Sequence, residues 1–108
     1  MDENIIIGGF ARAPGSAAAA AQFLSLLANE KRLLLLCHLQ ATGECDVTSL
    51  AEAVGLSASA LSQHLARLRA ENLVAFRRDG QTIFYRLEAP RAIELMGVLK
   101  RMFCPTDP

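Results

Sequence analysis

Charge of one sign is the first thing this chain lacks: eleven Lys and Arg balance eleven Asp and Glu over 108 residues. That balance excludes a generally basic coat, so any nucleic-acid binding has to come from where the cations are placed. Long apolar runs are missing as well. None nears the ~20 residues that a membrane span needs, and no membrane partner is expected. A positively charged leader is absent, because the chain opens Met1-Asp2-Glu3; an intact cytoplasmic protein is the expectation. Cysteine is scarce and odd in number, three in all, which is too few for a disulfide scaffold and leaves free thiols in a reducing compartment. No carboxylate pair, nucleophile–base constellation or phosphate loop is legible, so neither an enzyme nor a cofactor is expected.

What is present in excess is apolar surface. Hydrophobic residues make up 52% and charged residues 20%, a high ratio for so small a monomer, which points to burial against a second copy. The length suits one domain. Residues 1–16 hold glycines, a proline and no helical period, and are expected to form a flexible N-terminal arm. Residues 17–104 make the folded domain and 105–108 a short tail.

Within that domain the stretch Val47 to Arg69 organises the rest. Asp46 can cap a helix over Val47–Val54, Gly55 can take the left-handed backbone that ends it, and Ser57 can cap a second helix over Ala58–Asn72. Helix, short glycine turn, helix is the helix-turn-helix pattern, whose second member lies in the DNA major groove. On that second helix Leu61, Leu65 and Leu68 form a buried stripe. The opposite face offers Ser59, Gln63 and Arg67, flanked by Ala60 and Ser62, with Ser57 at the start and His64 at the border of the stripe. These short or hydrogen-bonding side chains suit close approach to bases and phosphates.

Before this unit, Ser16 is expected to cap a helix over Ala17–Leu27, and Asn29 one over Glu30–Gln40. After it the period changes. Val74–Arg78 and Gln81–Leu87 favour strands, and Asp79-Gly80 between them is a hairpin signal. A helix-turn-helix followed by a basic β-hairpin predicts a winged helix, mainly α with a β-hairpin wing (α+β). Arg77, Arg78 and Gln81 near the tip would meet phosphate or the minor groove. Pro90 suits the first turn of a last helix running through Phe103. The apolar residues of that helix cover more than one face, so a homodimer through the first and last helices is expected.

Three segments, LLANEKRLLLLCHL, LAEAVGLSASALSQHLARLRAENLV and RRDGQTIFYRL, resemble the ArsR/SmtB winged-helix repressors over about residues 20–104. The resemblance implies a homodimeric bacterial repressor that binds palindromic, double-stranded operator DNA and lets go on sensing an inducer. The arsenic- and cadmium-type members carry Cys-Val-Cys where this chain has Cys45-Asp46-Val47-Thr48, with Cys45 one place early. The zinc-type members have Asp and His on the last helix, which here has Glu94 and no histidine. Both metal sites are incomplete, and no metal is assigned.

Cys37, in LLLLCHL, and Cys104, in RMFCP, are similar in placement to the cysteine pair of the sulfide- and persulfide-responsive, HlyU-like branch (SqrR and BigR). The resemblance implies that they sense reactive sulfur species. A thiolate attacks the outer sulfur of a persulfide, and a second thiol resolves the product. On the residues alone, the favoured reading is Cys37 as a small core residue and Cys104 as a terminal thiol. Two other functions stay open: a metal- or metalloid-responsive repressor using the three thiolates, and a general thiol-oxidation sensor. An adaptor that uses the winged helix for a protein partner fits the arginines poorly.

Overall fold

A computed structural model of the protein describes residues 15–104. Almost all of the expected arm, and the 105–108 tail, lie outside the described residues. Within them the order is α1 (Ser16–Leu27), α2 (Glu30–Thr42), β1 (Cys45–Asp46), α3 (Val47–Val54), α4 (Ala58–Ala70), β2 (Val74–Asp79), β3 (Thr82–Leu87) and α5 (Pro90–Phe103). This is a winged helix, mainly α with a small antiparallel sheet, as the sequence predicts.

The helix ends follow from local chemistry. The Asn29 side chain accepts a hydrogen bond from the Arg32 amide, Asp46 from that of Ser49, and Ser57 from that of Ala60, at 3.1, 3.0 and 3.2 Å. Each satisfies an amide that has no partner inside its helix. Gly55 ends α3 in the left-handed region at φ 69°. Lys31 Nζ donates to the Val54 carbonyl at 3.0 Å, which puts a cation at the negative end of that helix.

One cap differs from expectation. Gly15, at φ 86°, is the N-cap of α1, and Ser16 is already helical, its Oγ buried without a partner among the described residues. Glycine reaches that backbone at little cost, so the helix starts one residue before the expected cap would allow. At the other end of the unit, α4 stops at Ala70 rather than Asn72, because Asn72 turns to φ 61°.

The core is mainly leucine. Leu35, Leu36, Leu39, Leu50, Leu61, Leu65 and Leu68 are buried, with Met96 and Ala92 from α5, and none of the described polar residues is buried with them. α2 lies at the centre, packed by α3, α5 and β3. It therefore buries Leu35, Leu36 and Leu39, while Leu33 and Cys37 are half-buried. Each buried leucine is worth about 1.5–3 kcal/mol of transfer free energy.

The sheet has the order β1-β3-β2. β2 and β3 form the expected hairpin, but Asp79 pairs with Thr82, so the turn residues are Gly80 and Gln81 rather than Asp79 and Gly80. β1 was not expected. Cys45 pairs with Tyr85 and Asp46 with Phe84, which ties the start of the helix-turn-helix unit to the wing.

Candidate DNA-binding interface and thiol cleft

α4 is presented by its leucines. Leu61, Leu65 and Leu68 hold one side against the core and leave Ser59, Ser62, Gln63, Ala66 and Arg67 exposed on the other. Ser57 and Ser59 lie at its first turn with their hydroxyl oxygens 3.5 Å apart. Ala60 is half-buried. The exposed set presents hydrogen-bonding groups and the Arg67 guanidinium, which makes no ion pair among the described residues, along a single helix face, the geometry needed to enter a major groove.

Between α4 and the hairpin runs a groove of ≈ 580 Å³ lined by Ser62, Ala66, Arg69, Gln81 and Thr82, with Thr48 from the start of α3. It joins the helix and the wing into one surface. Arg69 braces that surface: Nη1 donates to the Tyr85 hydroxyl at 3.4 Å, and the guanidinium lies 5.0 Å from the Phe76 ring centroid. Thr48 and Thr82 were not expected at a DNA-facing surface from the sequence, since their place in the groove depends on the wing folding back toward α4.

The wing arginines divide. Arg78 is exposed and makes no ion pair or hydrogen bond among the described residues, and Gln81 is exposed at the turn. Arg77 was expected to face DNA but is engaged elsewhere. Its Nε and Nη2 grip both carboxylate oxygens of Glu44 at 2.7–3.1 Å, and its guanidinium stacks 4.5 Å from the Phe84 ring centroid. The hydrogen bond and charge of Arg77 hold the Glu44 carboxyl below the usual range, and Glu44 raises Arg77 in turn. A planar fork matched to a carboxylate is the strong form of such a pair.

His64 also departs from the exposed set. It is half-buried, and its Nδ1 accepts a hydrogen bond from Arg32 Nε at 3.1 Å. Burial first, and the neighbouring Arg32 charge second, push its pKa down.

A second concavity, of ≈ 480 Å³, opens between α2 and α5. Leu33, Leu34, Met96, Leu99 and Phe103 line it, together with both Cys37 and Cys104. Cys104 is exposed and Cys37 half-buried. Cys45 is buried on β1, does not line this cleft, and has its thiol pKa raised by burial and by Asp46. Among the described residues no three of His, Cys, Asp and Glu converge as a metal site would require.

Residues 29–75 match the bacterial regulatory protein, arsR family. The chain belongs to the ArsR family. This ArsR-family protein is 40% identical over 95 residues to the HTH-type transcriptional regulator YgaV of Escherichia coli K12, covering 88% of this chain and 96% of that one. The structure of reduced HlyU from Vibrio cholerae superposes with a TM-score of 0.79 at 41% identity, covering 83% of this chain and 94% of that one. The transcriptional repressor BigR from Xylella fastidiosa superposes with a TM-score of 0.78 at 32% identity, over 98% of this chain and all of BigR, 100%. The ArsR-family protein is accordingly a DNA-binding transcriptional regulator and not an enzyme. None of its described helices is long and apolar enough to cross a membrane.

Proposed function

We propose that the protein is a homodimeric repressor that releases its operator when Cys37 and Cys104 react with persulfide or polysulfide. The observation that carries this reading is the shared cleft: both thiols line one apolar concavity between the central helix and the last helix. Of the pair, the exposed Cys104 is the one that an incoming persulfide meets first. Its thiolate takes the outer sulfur of R–S–SH, becoming Cys104–S–SH and releasing the thiol R–SH. The half-buried Cys37 thiolate then attacks the Cys104 Sγ, forming a disulfide and expelling hydrosulfide. A bridge that kept the added sulfur would need a further sulfane-sulfur donor as oxidant. Cys45, buried in the sheet and away from the cleft, takes no part.

The dimer would be built on α1 and α5. Leu24 on α1 is 55% exposed, and on α5 Ile93 is 45% and Met102 68% exposed, unusual for large apolar side chains of a small protein. Two α4 helices related by a two-fold axis would then meet half-sites about 34 Å apart or a multiple of it. In this arrangement Ser57, Ser59, Ser62, Gln63, Arg67, Arg78 and Gln81 touch DNA. A bridge from α2 to α5 ties the reading unit of each subunit to the dimer core, and a small rotation moves the helices out of step with successive grooves. Cys37→Ser and Cys104→Ser test the reading: each is expected to stay on the operator in polysulfide, whereas Cys45→Ser releases it as the wild type does.

A further inference from the structure

Arg32 is not used by any step above, yet its side chain joins three helices. It sits in the first turn of α2, its own amide held by the Asn29 cap at 3.1 Å. Nη1 donates to the carbonyl of Leu26, in the last turn of α1, at 3.2 Å, and Nε donates to Nδ1 of His64, on α4, at 3.1 Å. Both bonds are partly buried, where competing water is reduced and hydrogen bonds to a charged donor are stronger than on an open surface. α4 otherwise packs chiefly on α3 and β2, while α1 packs on α2. The guanidinium is thus a polar strut from the end of the first helix to the middle of α4, next to Gln63.

We infer that Arg32 is a positioning residue: through His64 it fixes α4 relative to α1, and so sets how the two recognition helices of a dimer are spaced on DNA. A guanidinium suits this role because its donors are held in one rigid plane, so the two acceptors cannot shift independently. The His64 end is an acceptor only while the imidazole is neutral, with its proton on the other ring nitrogen. The inference rests on the proposed dimer through α1 and α5, since in a monomer there is no second helix to align. It does not depend on the thiols.

The test compares DNA affinity for a palindromic operator with affinity for one isolated half-site, using reduced protein whose assembly is checked in the same samples by sedimentation. Arg32→Met keeps the apolar stem and removes both donors. It is expected to lower palindrome affinity about tenfold and to leave half-site affinity and its salt dependence unchanged. His64→Leu is expected to do the same, and the double variant to be no worse than either single one, because both remove one strut. His64→Asn puts a side-chain oxygen near the place of Nδ1 and should restore the palindrome preference; this pair of His64 variants carries the test if Arg32→Met fails to fold. Parallel losses on palindrome and half-site, or additive losses in the double variant, would overturn the inference. A wild-type monomer in sedimentation would overturn the dimer reading beneath it. A dimer with unchanged ratios would overturn the strut alone.

Discussion

Arg77 and Arg78 are neighbours in sequence with the same charge, but Arg77 is paired with Glu44 whereas Arg78 makes no ion pair among the described residues. Arg78→Ala removes a free cation from the wing, whereas replacing both Glu44 and Arg77 by Gln removes a pair whose charges already cancel. Each phosphate neutralised contributes about 0.9 to the slope of log K against log salt. With one Arg78 in each subunit of a dimer, Arg78→Ala should flatten that slope by about 1.8. Between 50 and 200 mM salt this amounts to about a twelvefold smaller loss of affinity than wild type suffers. The Glu44→Gln, Arg77→Gln double variant should keep the wild-type slope. Fluorescence anisotropy on a labelled operator across that salt range measures both. Equal flattening by the two variants would refute the division and return Arg77 to the phosphate contacts.

Gln63→Ala should reduce discrimination against a substituted adenine by about 1–3 kcal/mol, measured as the affinity ratio of two operators, because a Gln amide can pair bidentately with adenine. Ile93→Glu places a charge on the exposed apolar face of α5 and should give monomers in sedimentation; an intact dimer would move the interface elsewhere. The His64 pKa is lowered in the fold by burial and Arg32. Below its unfolded value of about 6.5 the unfolded chain therefore takes the proton first, and stability falls as pH drops from there through the lower folded value. Denaturant titrations between pH 7.5 and about 5 should show this slope in wild type and its loss in His64→Leu.

The parts of the fold legible in the sequence are those fixed within a few residues. The leucine stripe of α4, the caps at Asn29, Asp46 and Ser57, and the left-handed Gly55 are each decided by neighbours three or four positions away. The winged-helix order followed from the change of period after Leu73. β1 was not legible, because Cys45 and Asp46 carry no strand pattern and are extended only by pairing with β3, some forty residues on. The hairpin turn slipped by one residue for a similar reason: Asp79 still finds a ladder partner in Thr82. At the site, exposure of Ser59, Gln63 and Arg67 came from helix geometry alone. The exceptions are long-range side-chain contacts. Glu44 captures Arg77 and Arg32 captures His64 across separations of 33 and 32 residues, and no local pattern encodes either. The common cleft of Cys37 and Cys104 is likewise a product of α2 packing on α5.

The central claim, that the thiol pair governs DNA release, is tested most directly by operator occupancy of Cys104→Ser as polysulfide is added. Wild-type protein should lose about a hundredfold in affinity, a coupling of about 2.7 kcal/mol, while Cys104→Ser should remain bound through the same titration. Release of Cys104→Ser at the wild-type dose would contradict the account and leave Cys37 alone, or a bound metal, as the sensor.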